Sequence, residues 1–254
     1  MSFSPEELER YARHIVLREV GGPGQAQLKA ARVLIVGVGG LGAPAAMYLA
    51  AAGIGTLGLI DDDHVSLSNL QRQIIHDTQA VGTPKVESAA RHIARLNPHV
   101  AVEGHDVQLD GTSAGEIIDG YDLVLDGTDN FATRYLVNRT CVAAGRPLIS
   151  AAMTQWEGQL SLYDPARGGP CYECVFPEAP EAGLAPSCAE AGVIGALGGV
   201  MGSMMAMEAV KHLTGAGAPL RGRLLLHDAL YAEHRTITIE RRTDCPACHG
   251  ALPL

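Results

Sequence analysis

Four cysteines of the chain form two Cys-x-x-Cys pairs, Cys171 with Cys174 and Cys245 with Cys248. Thiolates paired at this spacing are typical of a tetrahedral structural zinc site with four sulfur ligands. Because a long stretch of sequence separates the two pairs, we expect Zn2+ to join two distant segments and to fix the C-terminal tail.

Two other interpretations of these cysteines remain open. The stretch CPACH, from Cys245 to His249, also matches the Cys-x-x-Cys-His pattern of covalent haem attachment. A Cys-x-x-Cys pair near a helix start can instead act as a redox-active dithiol. Haem of this type is attached outside the cytoplasm, and the sequence shows no export signal, so we favour zinc.

A glycine-rich stretch, Gly37-Val38-Gly39-Gly40-Leu41-Gly42, lies between an apolar strand and an Ala-rich helix, and the next predicted strand ends at Asp61. Glycines let backbone amides approach phosphate at the positive end of a helix, and an acid at this distance accepts hydrogen bonds from ribose hydroxyls. The pattern predicts an adenine-nucleotide site and leaves NAD and ATP as alternatives.

Polar and cationic residues follow Asp61 in the stretch SLSNLQRQ and beyond it. Asn69, Arg72 and Lys85, with Gln73 as a weaker fourth, are placed to reach nucleotide phosphates at the carboxyl edge of the sheet. Fixed cations that neutralise a triphosphate favour ATP over a nicotinamide cofactor. The alternative is that Arg72 and Lys85 are solvated surface charges.

The stretch LDGTDN adds Asp126 and Asp129 at the end of a further predicted strand. A carboxylate at this edge can hold Mg2+ against phosphate oxygens. Alternatively, Asp129 caps the helix that follows. The two acids allow both roles.

Two cysteines lie outside the pairs. Cys141 has apolar helical surroundings and is predicted to be a core residue. Cys188 directly precedes a predicted helix, whose N-terminus can lower the pKa of a thiol. Cys188 is therefore either a nucleophile that carries an acyl or sulfur intermediate or an inert thiol.

The alternation of strands and helices predicts an α/β fold with a doubly wound, mostly parallel, Rossmann-like sheet that continues into antiparallel strands near the C-terminus. We assign residues 1–254 to one domain, with an N-terminal helical arm (1–30), a nucleotide-binding part (31–155) and a C-terminal part (156–254). Ser4 caps a predicted helix that runs to about Arg18. The proline-rich residues 176–187 are predicted to form a mobile crossover loop.

The composition limits the class of protein. With 254 residues and 47% hydrophobic residues, the chain can bury a large core. A net charge of -9 argues against a general nucleic-acid binder, which needs a basic surface. Because no apolar stretch is long enough to cross a membrane and no leader is visible, we expect a cytoplasmic protein with no membrane partner.

Taken together, RYARHIVL, GVGGLG, LIDDDHVSLSNLQRQ, VGTPKVESA, DGTDN, the two cysteine pairs and CAEAGV resemble the MoeB/ThiF/HesA family, the prokaryotic relatives of ubiquitin-activating enzymes. The resemblance covers essentially the whole chain. It implies a nucleotidyltransferase that uses Mg-ATP to adenylylate the C-terminal Gly-Gly carboxylate of a small ubiquitin-like sulfur-carrier protein, with release of pyrophosphate.

The resemblance also implies roles for individual residues. Gly39 and its neighbours approach the phosphates, Asp61 binds ribose, and Asn69, Arg72 and Lys85 hold the triphosphate. Asp129 matches the magnesium-associated acid of the family. Arg13 matches an arginine that reaches the nucleotide of the neighbouring subunit, which implies a homodimer.

The motifs do not decide between pathways that supply sulfur for molybdopterin, thiamine or tRNA thiolation. Since the chain ends at Leu254, we expect no fused rhodanese domain and a sulfur-donor protein supplied separately. This favours the molybdopterin-synthase type, with a MoaD-like carrier, over ThiF-like activation of a ThiS-type carrier. An NAD-dependent oxidoreductase and a non-catalytic scaffold for a carrier protein are the alternatives of other classes.

Overall fold

The computed structural model describes residues 2–180 and 191–249. Within them, eight strands form one sheet in the order β3-β2-β1-β4-β5-β6-β7-β8. The strands are β1 (Arg32–Val36), β2 (Thr56–Ile60), β3 (Ala101–His105), β4 (Leu123–Asp126), β5 (Leu148–Thr154), β6 (Glu157–Tyr163), β7 (Arg223–Asp228) and β8 (Glu233–Thr238). Strands β1 to β5 run parallel to one another and β6 to β8 continue the sheet antiparallel, as predicted.

Helices cover both faces of the sheet. They are α1 (Pro5–Arg10), α2 (Ala12–Ile15), α3 (Gly21–Ala30), α4 (Gly42–Ala52), α5 (Lys85–Leu96), α6 (Ala114–Asp119), α7 (Phe131–Ala144), α8 (Tyr172–Val175) and α9 (Gly195–Thr214). Residues of α3, α4, α5 and α9 share one hydrophobic cluster, and residues of α6, α7 and α8 share the other. The fold is therefore doubly wound.

The central strand β1 shows why the chain forms this arrangement. Val33 and Ile35 belong to the first cluster, whereas Leu34 and Val36 belong to the second. Successive side chains of a strand point to opposite faces, so a strand with helices on both sides needs a continuous apolar run. The sequence RVLIV meets that need.

The parallel strands bring separate parts of the sequence to one edge. In the ladders between β1, β2 and β4, Val36 pairs with Ile60 and with Asp126, which are the last residues of their strands. The glycine turn after β1, the acid after β2 and the stretch GTDN after β4 therefore meet at the carboxyl edge. Ligands of open α/β sheets bind at this position.

The N-terminal arm differs from its prediction. The capping box of Ser4 and Glu7 is present, but the helix ends at Arg10 and a second short helix begins at Ala12. Between them Tyr11 is buried, and its hydroxyl accepts a hydrogen bond from the Asn97 side chain at 2.8 Å. This long-range anchor divides the predicted helix.

Helix α3 lies within the predicted helical arm (1–30), but a separate helix was not specified there, because its sequence GGPGQAQLKA is rich in residues that disfavour helices. Tertiary contacts support it: Gln25 is fully buried and donates a hydrogen bond to the Ala52 carbonyl at 2.7 Å. Part of the predicted crossover loop, residues 176–180, lacks helix or strand, and the remainder lies outside the described residues. None of the described helices is long and apolar enough to cross a membrane.

Candidate active site and cysteine cluster

A cavity of 1160 Å³ opens at the carboxyl edge of the sheet. Its wall combines the glycine turn, the acids after β2, the start of α5 and the stretch after β4, and it continues over the face of β6, β7 and β8. Among the lining residues are predicted site residues Gly37, Gly39, Gly40, Asp61, Arg72, Gln73, Lys85 and Asp129. The cavity is slightly larger than the range of roughly 300 to 1,000 Å³ that is usual for small-molecule sites.

Two glycines of the turn are required by its geometry. Gly37 has a φ of 86°, in the left-handed region where a Cβ is unfavourable. At Gly42, the first residue of α4, a Cβ would lie 1.9 Å from the Gly37 carbonyl oxygen. The turn is thus tight, and a side chain would be strained at Gly37 and would clash at Gly42.

Asp61 is anchored by the turn that it faces. One carboxylate oxygen accepts a hydrogen bond from the Val38 amide at 2.8 Å, and the other accepts one from the Asp63 amide at 3.0 Å. Burial raises the pKa of Asp61 above its ordinary value, while the nearby Lys85 ammonium acts in the opposite direction. The carboxylate is therefore fixed beside the glycine turn, where a ribose is expected.

Lys85 lies at the start of α5 and is buried. Its ammonium is 2.7 Å from Asp63 and 3.7 Å from Asp61. Asp63 is 70% exposed and Asp61 only 9%. The exposed Asp63 carboxylate is the partner that a phosphate could replace, because water solvates that carboxylate and the phosphate supplies a new negative charge to the buried ammonium.

Arg72 and Gln73 lie on the opposite side of the glycine turn. Arg72 donates a hydrogen bond to the Ser68 carbonyl at 3.2 Å, and its stem would contact a Cβ placed at Gly40. Gln73 is 4% exposed, and its side-chain oxygen has no hydrogen-bond partner among the described residues. Burying an unpaired amide oxygen is unfavourable, so this position fits a ligand donor better than an empty wall.

Gly42, Asn69 and Arg13 were predicted at the nucleotide site but are not among the residues that line the cavity, and neither is Asp126. The Asn69 side-chain oxygen accepts a hydrogen bond from the Ser66 amide at 3.3 Å and so caps a short 3-10 turn. Arg13 is exposed on α2. Neither Asn69 nor Arg13 reaches the nucleotide position within this subunit.

Asp126, the last residue of β4, and Asp129, in the loop after it, have different surroundings. Asn130, not Asp129, caps α7, since its side-chain oxygen accepts from the Thr133 amide at 2.9 Å. Asp126 is 1% exposed and accepts hydrogen bonds from Thr128 and Ser150. Asp129 is exposed on the cavity wall, and the described residues give its carboxylate no hydrogen bond or ion pair. The oxygen ligands that Mg2+ prefers are therefore available at Asp129 and not at Asp126.

Arg134 was missed by the sequence prediction. It lines the cavity, is 6% exposed, and donates to the Thr128 carbonyl and to the Ser150 hydroxyl, the latter at 3.3 Å. An arginine near the start of a helix is common, so its type and position alone do not predict a buried side chain on the cavity wall. Its sequence signal is a position one turn after the cap Asn130, and its contacts with Thr128 and Ser150 are visible only in the structure.

The two cysteine pairs meet as predicted. Sγ of Cys171 lies 3.8 Å from that of Cys174 and 3.5 Å from that of Cys245, and Cys174 lies 3.5 Å from Cys248. Four sulfurs at 2.3 Å from a tetrahedral zinc ion would be about 3.8 Å apart. All four are buried and together can hold one metal ion.

Hydrogen bonds connect this cluster to α7. Glu173, between the first two cysteines, is 1% exposed and accepts from Asn138 at 3.0 Å and from Arg139 at 2.9 and 3.0 Å. The Arg242 amide donates to the Cys174 sulfur at 3.4 Å. A donor to a metal-bound sulfur and a fixed backbone are typical of a structural site.

The remaining cysteines differ in what the structure shows. Cys141 is buried in the core as predicted, and burial raises the pKa of its thiol, so it is unreactive. Cys188 lies outside the described residues.

Comparisons with known proteins identify the family of the chain. The sequence matches the ThiF family over residues 11–247. A sulfur carrier protein adenylyltransferase of Thermus thermophilus is 48% identical over 252 residues, which cover 98% of this chain and 93% of the relative. The SAMP-activating enzyme E1 of Haloferax volcanii is 48% identical over 248 residues, with coverage of 98% and 91%. The adenylyltransferase and sulfurtransferase MOCS3 of Bos taurus is 50% identical over 248 residues, which are 97% of this chain and 54% of that protein.

Solved structures show the same fold. Escherichia coli MccB with MccA-N7isoASN superposes with a TM-score of 0.84 at 24% identity, covering 94% of this chain and 74% of that one. PaaA gives 0.81 at 26% identity, with 94% and 76% coverage. The sequence relatives identify the chemistry as adenylyl transfer. The alternative prediction of an NAD-dependent oxidoreductase is therefore wrong. The chain belongs to the ThiF family and is an adenylyltransferase.

Proposed function

We propose that this adenylyltransferase activates the C-terminal Gly-Gly carboxylate of a small ubiquitin-like sulfur-carrier protein with Mg-ATP. The observation that carries the proposal is the single cavity that joins the glycine turn, Asp61, Lys85 and Asp129 and then continues over the antiparallel strands. The names of the relatives from Thermus thermophilus and Haloferax volcanii support this substrate class.

The residues divide the work in the cavity. The turn from Gly37 to Gly42 receives phosphate oxygens at the start of α4, where backbone amides and the helix dipole favour anions. Asp61 binds ribose hydroxyls, and Lys85 and Arg72 neutralise the triphosphate. We assign Mg2+ to Asp129, where it would supply further neutralisation of the phosphate charge.

The reaction is a single substitution at the α-phosphorus of ATP, which transfers the adenylyl group to the carrier. A carboxylate oxygen of the carrier attacks the α-phosphorus, the bond from that phosphorus to the bridging oxygen breaks, and pyrophosphate leaves. A C-terminal carboxyl group has a pKa of about 3.5, so the nucleophile is ionised at neutral pH and needs no general base. The cations must instead hold two repelling anions in line.

The far end of the cavity suits an extended tail. Gln159, Leu226 and Arg235 are aligned across β6, β7 and β8 and line the same cavity as the nucleotide residues. A Gly-Gly tail is narrow enough to reach the α-phosphate through such a passage. We therefore assign the C-terminal part, residues 156–254, to carrier binding and to the metal site.

A homodimer would complete the site. Arg13 is exposed and does not line the cavity of its own subunit, and Val16 and Leu17 near it in the sequence are 79% and 49% exposed. Exposed apolar residues next to a cation suit a subunit contact. We propose that Arg13 reaches the nucleotide of the neighbouring subunit.

We propose that the cysteine cluster holds a structural Zn2+. The sulfur separations of 3.5 to 3.8 Å and the burial of all four cysteines fit this ion, and none of the four lines the nucleotide cavity. Convergence of all four thiols disfavours haem attachment or a single redox dithiol, each of which uses one pair.

The carrier is assigned to the MoaD-like class of molybdopterin biosynthesis, with a separate sulfur donor. ThiF-like activation of a ThiS-type carrier, with Cys188 bonded to the carrier, is the alternative. The two alternatives differ in the role of the Cys188 thiol. Adenylylation itself needs no nucleophilic cysteine, whereas the ThiF-like alternative bonds Cys188 to the carrier.

Exchange of radiolabelled pyrophosphate into ATP tests the function. Zinc-loaded protein is incubated with Mg-ATP and, in parallel, with MoaD-type and ThiS-type carriers and with the same carriers lacking Gly-Gly. Exchange with one intact carrier, and none with its truncated form, supports the proposal and identifies the pathway. Absence of exchange with every carrier contradicts it.

A further inference from the structure

Val38 occupies the centre of the glycine turn and is held from two sides. Its amide donates to Asp61 at 2.8 Å, and its carbonyl oxygen lies 3.3 Å from Nε2 of His76. Val38 itself is fully buried. The two bonds fix both polar groups of the residue that lies between the phosphate-facing glycines.

His76 connects this turn to α5. Its Nδ1 lies 3.0 Å from the Ser88 hydroxyl, and Ser88 lies three residues after Lys85 on the same helix. His76 is 7% exposed and lies behind the cavity wall rather than in it. It is therefore placed to act through other residues.

The bonding partners determine the tautomer of the ring. A carbonyl oxygen only accepts, so Nε2 must carry the proton that bonds Val38. In the neutral imidazole, Nδ1 then accepts from the Ser88 hydroxyl. Burial lowers the pKa of His76, which agrees with a neutral ring.

These contacts form a closed circuit. It runs from Asp61 to Val38, His76 and Ser88, along the first turn of α5 to Lys85, and back to Asp61 at 3.7 Å. Two of its members, Lys85 and Asp61, face the nucleotide position. A change at His76 would alter the separation between the glycine turn and the Lys85 ammonium.

We infer that His76 is a positioning residue that holds the glycine turn and Lys85 at the spacing required by the ATP phosphates. The inference rests on the proposed function, since it assumes that Mg-ATP is the nucleotide. It concerns the phosphate side of the ligand, because His76 bonds the Val38 carbonyl and Ser88, whereas the ribose-binding Asp61 keeps its own bonds to the Val38 and Asp63 amides.

Equilibrium binding by His76→Ala, His76→Gln and Ser88→Ala tests the inference without any carrier protein. Affinities for Mg-ATP and for adenosine are measured by competition against a fluorescent ATP analogue. We expect His76→Ala to weaken Mg-ATP binding by roughly tenfold and adenosine binding by less than about twofold, since two hydrogen bonds are lost at the phosphate side.

The His76→Gln variant is expected to restore Mg-ATP binding. Its amide can donate to the Val38 carbonyl and accept from the Ser88 hydroxyl, so Mg-ATP affinity should recover to within about threefold of wild type. Ser88→Ala removes one contact and should produce a smaller loss of the same kind. His92→Gln, on the same helix, is the matched control and should leave the ratio of the two affinities unchanged.

Equal loss of ATP and adenosine affinity in His76→Ala, or no recovery in His76→Gln, would overturn the inference. If His76→Ala does not fold, the ratio in Ser88→Ala decides in the same way. Wild-type protein that fails to bind Mg-ATP contradicts the proposed function and the inference with it. Wild type that binds, with variants that keep its affinity ratio, contradicts only the inference.

Discussion

At the cysteine cluster, all four sulfurs are buried and the neighbouring Glu173 has both carboxylate oxygens bonded. At the nucleotide edge, Asp129 is exposed, the Gln73 side-chain oxygen has no partner within residues 2–180 and 191–249, and Lys85 has an exposed acid as its nearest partner. A structural metal site is closed because its ligands serve only the fold. A reactive site keeps polar groups available for a ligand, at a cost in stability.

The largest difference between the two regions is expected when one thiol of the cysteine cluster is removed. Cys245→Ser removes one of four ligands, so we expect loss of about one zinc ion per chain and a fall in Tm of roughly 10 °C. Elemental analysis and thermal unfolding measure both. Cys141→Ala, a buried cysteine outside the cluster, should keep its zinc; a zinc content that does not change in Cys245→Ser would contradict the assignment.

Removing the free acid at the cavity tests the other region. Asp129→Asn keeps the size of the side chain but weakens binding of Mg2+, so pyrophosphate exchange should fall by about 100-fold while Tm stays within about 2 °C. Asp106→Asn, an exposed acid outside the cavity wall, is the control. A large loss of stability with unchanged exchange would mean that Asp129 serves the fold.

The glycine turn connects fold and chemistry, so its substitution should affect both. Gly42→Ala places a Cβ 1.9 Å from the Gly37 carbonyl oxygen, which should cost about 1 to 3 kcal/mol and weaken Mg-ATP binding. Gly111→Ala has no atom within 4 Å of the new Cβ and is the matched control. Chemical denaturation and nucleotide binding report the two effects; wild-type values for both in Gly42→Ala would show that the turn relaxes freely.

The smallest expected effect is a dependence of stability on pH. Burial lowers the pKa of His76 and His212 in the folded chain, whereas an unfolded histidine has a pKa of about 6.5. The unfolded state therefore binds more protons below about pH 6.5, and the free energy of unfolding should fall as the pH drops through that value. Asp61, whose pKa is raised by burial, acts in the opposite direction at lower pH. Urea unfolding between pH 5.5 and 7.5 should show a shallower dependence in His76→Gln; the same slope in both proteins would rule out this contribution.

Much of the fold follows from local patterns in the sequence. The continuous apolar strands, the C-terminal glycines of α4 and α7, and the capping box at Ser4 are consequences of periodicity and backbone chemistry. The interruption at Tyr11 and the existence of α3 depend on Asn97 and Ala52, which are distant in sequence. Propensity cannot anticipate such contacts.

The site was predictable to a similar degree. The glycine turn, the acid Asp61 and the cysteine pairs were predictable because the binding of phosphate, ribose and metal requires fixed residue spacings. The choice between Asp129 and Asn130 as the cap depends on a difference of one residue, which the sequence leaves open. Arg134 and His76 act through partners on other strands and helices, so only the assembled structure identifies them.

Helix α7 has a consequence for the energetics of the whole protein. Its 14 residues span about 21 Å, beginning beside Asp129 and carrying Asn138 and Arg139, which donate to Glu173 between Cys171 and Cys174. If metal occupancy stiffens this helix and so favours nucleotide binding, thermodynamic reciprocity requires nucleotide to favour metal retention by the same factor. If that metal is zinc, as we propose, a cell short of ATP would then hold enzyme that loses it more readily.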